Sequence, residues 1–180
     1  MLKTVGIAAA MLATLLSAPA YAQTPNATAP AVTTAPAAKA QPSDLTKRKG
    51  WYVSASKHNF ADLVKRLEEA VKKNKMAVVN AASASDGAKA QGFTIPGNRV
   101  VGVFRNDFAR RMLTASVAAG IEAPVRIYVT EGADGMATLS YRTPSSVFAP
   151  YMTRKNADLR AVAKELDAIF AQIAIDTLGG

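Results

Sequence analysis

Residues 125–142 read VRIYVTEGADGMATLSYR and carry the strongest structural signal in the chain. Val125–Thr130 alternates apolar and polar side chains, which predicts a strand with one buried face. Asp134-Gly135 is a common hairpin turn, and Met136–Arg142 follows it as the partner strand. Because a hairpin joins antiparallel strands, this stretch favours a mostly antiparallel sheet.

Further strands and helices are predicted on both sides of this hairpin. Aromatic and β-branched residues predict strands at 51–56, 76–82 and 99–105. The helical spacing of apolar residues predicts helices from Asn59 to near Asn74, from Asn106-Asp107 to about Ala118, and from Asn156 to just before Gly179. A short helical turn is also predicted at 88–91.

The resulting order of elements is β-α-β-β-α-β-β-α. The last helix is long, and its apolar positions share one face: Leu159, Val162, Leu166, Ile169, Phe170 and Ile173. Each helix has one apolar face to bury against the sheet. We therefore expect a two-layer α+β fold, with the helices on one face of a mostly antiparallel sheet.

The first 22 residues have the pattern of a cleavable signal peptide. Lys3 precedes the uncharged apolar run Val5–Leu16, and Ala20-Tyr21-Ala22 fits the small-x-small cleavage rule. The run of about a dozen residues is shorter than the roughly 20 that span a bilayer. We expect cleavage after Ala22, a periplasmic or secreted location, and no transmembrane segment in the soluble mature chain.

Residues 23–49 predict a disordered tether. They are rich in Ala, Pro and Thr, and such a composition buries too little apolar surface to offset the entropy of ordering. The basic cluster Lys47-Arg48-Lys49 closes the tether and can either stay solvated or touch an anionic surface. Residues 50–180 are then predicted to form a single domain.

Composition excludes several kinds of site. The chain has no cysteine, so disulfides, thiolate metal sites and cysteine nucleophiles are absent. The single histidine, His58, rules out a multi-histidine metal site and precedes a helix, where capping or surface exposure is the simplest role. The net charge of +9 fits either general solubility or an anionic partner. We expect no metal, no cofactor and no nucleic acid.

Several short motifs together resemble the domain-of-unknown-function 302 family. Residues 87–96 (GAKAQGFTIP) resemble its A-x-x-x-G-x-x-(L/I)-P region, and residues 104–107 (FRND) resemble its F-G-N-P strand end. Residues 120–124 (GIEAP) and the hairpin 134–141 are also similar to the family pattern. The resemblance covers about residues 51–178 and implies a two-layer α+β fold, self-association and no established reaction.

The chain departs from the family pattern at three places. Ser83-Ala84 stands where the family often has Asp-His, Arg105 stands in place of glycine, and Asp107 stands in place of proline. A site built on those family residues is therefore altered or absent here.

The candidate ligand-binding residues are Arg105, Asn106, Arg126, Tyr141 and Arg142. The arginines lie in or at the ends of predicted strands, and arginine can hold a carboxylate through two parallel hydrogen bonds. Arg126 and Tyr141 flank the hairpin and are expected to share a face. Asn106 opens a helix, whose N-terminus suits anions. The alternatives are solvent-facing arginines and a helix end already capped by its own aspartate.

These observations favour a binding or interaction module over an enzyme. The loop serines lie in no G-x-S-x-G elbow, and no pair of carboxylates is placed for acid–base work, so no catalytic residue is assigned. The expected partner is an anionic small molecule, an acidic protein or a second copy of the chain. A ligand-processing, hydrolase-like enzyme and a structural, dimer-forming envelope protein remain the alternatives.

Overall fold

The computed structural model describes residues 45–153 and 156–179. Its five strands form one antiparallel sheet in the order β1-β5-β4-β3-β2. They are β1 (Trp51–Asn59), β2 (Ala77–Ala82), β3 (Asn98–Phe104), β4 (Val125–Glu131) and β5 (Met136–Arg142). The helices are α1 (Phe60–Lys73), α2 (Ala84–Ala90), α3 (Asn106–Ala115), α4 (Pro144–Phe148) and α5 (Ala157–Leu178), with 3-10 turns at Ala118–Glu122 and Ala149–Tyr151.

The β4–β5 hairpin forms as its sequence predicts. Ile127 pairs with Tyr141, and the ladder continues to Glu131 opposite Ala137. The turn closes through Gly135, whose φ of +77° is one that glycine adopts without a steric penalty. The Asp134 carboxylate accepts a hydrogen bond of 3.0 Å from the Met136 amide. The strands are thus held in a register that puts alternate residues on opposite faces of the sheet.

The two long helices begin and end where their sequences signal. The Asn59 side chain accepts a 2.9 Å hydrogen bond from the Asp62 amide at the start of α1, which satisfies one of the free N–H groups there. Helix α5 ends at Gly179 in the left-handed conformation, with φ of +85°. Arg66 of α1 donates to the Thr177 carbonyl at 2.7 Å, joining the two helices at this end.

The hydrophobic core lies between the helices and one face of the sheet. Phe170 of α5 is fully buried and contacts the Tyr141 ring edge-on, with 5.6 Å between ring centroids. The predicted apolar face of α5 is confirmed: Leu159, Val162, Leu166, Phe170 and Ile173 are buried, and Ile169 is partly buried. From the sheet, Ile127 and Leu139 are fully buried against this layer.

The predicted α+β architecture is confirmed. Strand β1 runs to Asn59, three residues past its predicted end, and the other main differences concern short helices. Helix α2 extends back to Ala84 from the predicted turn, capped by the Ser83 hydroxyl, which accepts from the Asp86 amide at 3.0 Å. Helix α4 was not predicted, and α3 stops at Ala115, before a 3-10 turn. Segments of five to seven residues span too few turns to show a helical period in the sequence.

The predicted signal peptide and residues 23–44 of the predicted tether lie outside the described residues. Within the described ranges, no helix combines the length and the apolarity needed to cross a membrane.

Candidate functional site

One face of the sheet is left open, because the helices pack on the other. On β4, Val125, Ile127 and Val129 are buried towards the helices. Arg126 and Tyr128 alternate with them and therefore point to the open side. We call this side the open face.

Arg126 lies directly opposite Arg142 on the open face. The register pairs Ile127 with Tyr141, and one step along the same ladder brings Arg126 to Arg142. On its other side, Arg142 pairs with Trp51 of β1. Side chains at directly opposed positions have Cβ atoms about 4.5–5.5 Å apart. Two positive charges and an indole ring are therefore neighbours at one end of the sheet.

The backbone around Trp51 and Arg142 is fixed by local hydrogen bonds. The Gly50 carbonyl accepts from the Thr143 amide at 3.0 Å, which ties the start of β1 to the end of β5. The Arg142 guanidinium donates to the Ser146 carbonyl at 3.0 Å. These bonds hold Trp51 and Arg142 in place. Because their acceptors are uncharged carbonyl groups, the positive charges of Arg126 and Arg142 are not neutralised by them.

A cavity of about 240 Å³ opens at this end of the sheet. Its walls come from β1, β3, β4, β5, α4 and the 3-10 turn before β4: Trp51, Val100, Glu122, Val125, Arg126, Tyr128, Arg142 and Val147. Pockets for small molecules typically measure about 300–1,000 Å³ and combine apolar walls with a few polar groups, so this cavity suits a small ligand.

Neither of the two arginines forms an ion pair within the described residues. None of the ion pairs in residues 45–153 and 156–179 involves Arg126 or Arg142, so neither has a carboxylate within 4.0 Å. Glu122, the one acid in the cavity wall, accepts a 2.9 Å hydrogen bond from the Tyr151 hydroxyl. That bond raises the pKa of Tyr151. Like charges at opposed positions destabilise a sheet, so the site is electrostatically suited to an anion.

Comparison with known proteins identifies the family. The family described as "Domain of unknown function DUF302" matches residues 52–174. The chain belongs to the DUF302 family. A solved structure, "Crystal structure of uncharacterized conserved protein DUF302 from Bacillus stearothermophilus", is 17% identical, covers 73% of this chain and 99% of that chain, and has a TM-score of 0.62. That likeness shows a common fold. No curated protein matches the chain.

Tyr141 does not share a face with Arg126 in this DUF302 domain, so that prediction is wrong. Tyr141 is adjacent to Arg142 in β5, and successive residues of a strand point to opposite faces. Its ring is 4% exposed and stacks on Tyr52, with 4.9 Å between centroids. Burial raises the pKa of the Tyr141 hydroxyl well above its ordinary value. Tyr141 is therefore a core residue of the sheet's helix side.

Arg105 and Asn106 also lie outside the cavity of this DUF302 domain. Arg105 binds the Asp107 carboxylate through two hydrogen bonds of 2.7 and 3.1 Å, and this lowers the pKa of Asp107. Its guanidinium also lies 4.3 Å from the centre of the Phe108 ring. Asp107 was predicted to cap α3, but the N-cap position is Arg105, without a side-chain cap bond. The charge of Arg105 is matched locally.

Sequence reasoning missed most of the cavity wall of this DUF302 domain. Trp51, Val100, Glu122 and Val147 come from four separate elements, and only the packing of those elements brings them together. Trp51 is the single tryptophan of the chain, which could have marked it as a candidate. Within the described residues, no three His, Cys, Asp or Glu side chains are grouped so as to hold a metal ion.

Proposed function

We propose that this DUF302 protein is an exported binding module that holds an anionic small molecule between Arg126 and Arg142 on the open face of its sheet. The observation that carries the proposal is the opposed pair of arginines, neither of which has a carboxylate partner among the described residues. An anion between them would replace mutual repulsion with two charge-assisted contacts.

The chemistry of the cavity wall favours binding over catalysis. Glu122 is its only carboxylate, and that group already accepts a hydrogen bond from Tyr151. The wall contains no serine, histidine or lysine that could serve as nucleophile or base. A hydrolase-like role would need such a group close to the ligand.

Export is the second part of the proposal, and it rests on the sequence alone. Lys3, the apolar run Val5–Leu16 and Ala20-Tyr21-Ala22 have the order and spacing of a cleavable signal. The module would then meet its ligand in the periplasm or outside the cell.

The anion site is tested by comparing Arg126→Ala and Arg142→Ala with the wild type. Binding of acetate, hexanoate, phosphate and sulfate is measured by calorimetry and by the fluorescence of Trp51, which lies in the cavity wall. We expect each variant to lose at least about tenfold in affinity, since a hydrogen bond to a charged group contributes about 1.5–3 kcal/mol. Wild-type affinity should also fall as salt rises.

Arg110→Ala is the matched control, because it removes one exposed guanidinium from α3, away from the cavity. Its affinity for every anion should equal that of the wild type, and circular dichroism should show all variants folded. A wild type that binds none of the anions would contradict the proposal. So would equal losses in all three variants, which would indicate only a general effect of net charge.

Self-association is the second candidate role, and edge strand β2 favours it. All six residues Ala77–Ala82 are exposed, and none is charged. An uncharged edge strand is a template for pairing with another strand, whereas many proteins protect such edges with charged residues. The native mass of the wild type in the same experiments tests this role, with twice the chain mass expected.

A further inference from the structure

The cavity beside Arg126 and Arg142 has an extensive apolar wall. Val100, Val147 and the Trp51 ring line the same space as the two guanidiniums, and Val125, the first residue of β4, borders it. Val147 is less than a tenth exposed, so most of its side chain is packed against the protein and is held in place. A small hydrated ion, such as phosphate or sulfate, would contact the arginines and leave this apolar wall unused.

The charge of the cavity wall also restricts the ligand. The wall carries two positive charges, from Arg126 and Arg142, and one negative charge, from Glu122. Its net charge is a single positive one, which balances a monoanion. A dianion would be repelled by the Glu122 carboxylate, which the Tyr151 hydroxyl holds in place at 2.9 Å.

The wall is arranged so that charge and apolar surface are close together. Arg142 and Trp51 are paired across β5 and β1, and Val100 is paired with Tyr128 across β3 and β4. A carboxylate held at the arginines therefore has room beside it for a short apolar group. The volume of about 240 Å³ suits a group of a few carbons rather than a long chain.

We infer that the ligand is a monocarboxylate with a short apolar chain, bound with its carboxylate at Arg126 and Arg142 and its chain against Trp51, Val100 and Val147. This inference rests on the proposed anion site and goes further by naming the class of ligand. The inferred ligand is an amphipathic acid and not an inorganic anion or an acidic polymer.

Four probes of the full mature chain test this inference: hexanoate, acetate, inorganic phosphate and 1-hexanol. Binding is followed by Trp51 fluorescence and calorimetry at fixed salt. We expect hexanoate to bind at least about tenfold tighter than acetate, because each buried methylene is worth up to about fourfold in affinity. Phosphate and hexanol should each bind at least about tenfold more weakly than hexanoate.

The outcomes separate this inference from the proposed function. If phosphate binds as tightly as hexanoate, or acetate binds as tightly as hexanoate, the apolar part is wrong and the anion site stands. If hexanol binds as tightly as hexanoate, the arginines do not select an anion and the proposed function fails. If none of the four probes binds, both fail.

Val100→Thr checks the apolar wall directly, since it replaces a methyl group by a hydroxyl of similar size. It should weaken hexanoate binding severalfold and leave acetate binding unchanged. Val79→Thr is the control, because Val79 is half exposed on edge strand β2 and lies outside the cavity. Unchanged hexanoate affinity in Val100→Thr would overturn the inference.

Discussion

At the scale of single residues, the backbone conformation of Gly50 sets the position of Trp51 in the cavity wall. Its φ of +76° lies in the left-handed region that favours glycine. A Cβ at this position would lie 2.3 Å from the Ser146 hydroxyl oxygen. The carbonyl of the same Ser146 accepts the hydrogen bond from Arg142. Gly50 therefore allows the backbone before Trp51 to pack closely against Ser146, the residue that also binds Arg142.

Gly50→Ala should destabilise the domain and weaken anion binding. Left-handed backbone costs an alanine about 1–2 kcal/mol, and the contact with Ser146 adds to that loss. Urea unfolding and Trp51 fluorescence titration measure the two effects.

Gly135→Ala is the control for Gly50→Ala. Gly135 has a φ of +77°, and a Cβ there would meet nothing within 4 Å. It should cost about 1 kcal/mol through backbone strain alone and leave anion affinity unchanged. Equal effects of the two substitutions on stability and binding would show that the Ser146 contact is unimportant.

At the scale of elements, α5 is the helix that closes the core. Its buried residues contact α1, α3, α4 and the sheet, whereas Ile175 on the same helix is 49% exposed. Phe170 meets Tyr141 edge-on, so the sheet and the helix layer are joined by an aromatic pair. The same contact keeps Tyr141 on the helix side, away from the arginines.

Phe170→Ala should lower the free energy of unfolding by about 3–5 kcal/mol, because the ring is fully buried and its removal leaves a cavity. Ile175→Ala, on the exposed side of α5, should cost less than about 1 kcal/mol. Chemical denaturation of both variants provides the measurement. A loss below about 1 kcal/mol for Phe170→Ala would mean that α5 does not close the core.

At the scale of the whole molecule, the arginine pair and the predicted signal peptide lie in separate parts of the chain. The family match begins at residue 52, well after the predicted cleavage point at Ala22. If the signal is removed, the site is unaffected, because its walls begin at Trp51. Export and binding are therefore independently testable.

Cleavage after Ala22 predicts that the mature protein begins at Gln23. Intact-mass spectrometry of the protein from its native host should give the mass of residues 23–180. Replacing Ala22 by a bulky residue, as in Ala22→Phe, should block processing and leave the uncleaved chain in the membrane fraction. A wild-type chain that retains Met1 or its leader, and stays with the membrane, would contradict this.

Much of the fold could be predicted because it depends on local pattern. The alternation in Val125–Thr130 and the Asp134-Gly135 turn predicted the hairpin, and the apolar spacing in the last helix predicted its buried face. Helices α2 and α4 were incompletely predicted or missed because they span too few residues to show a period.

The site was only partly predictable. Arg126 and Arg142 could be chosen as polar residues at the ends of strands, but Tyr141 was placed with them wrongly. Alternation along β5 already assigns Tyr141 and Arg142 to opposite faces. Which of the two faces is open depends on where the helices pack.

The sequence by itself determined the antiparallel hairpin, the helical faces and the family pattern, because each depends on residues close together in the chain. The signal peptide is likewise a local pattern, and it stays a prediction. Only the tertiary structure decided that Arg126 lies opposite Arg142 and that Trp51, Glu122 and Val147 join them around one cavity. Strand register and the packing of α4 beside β1 bring together residues that lie up to 96 positions apart in this chain, from Trp51 to Val147. Contacts of that kind depend on packing between elements, so they cannot be predicted from the pattern of neighbouring side chains.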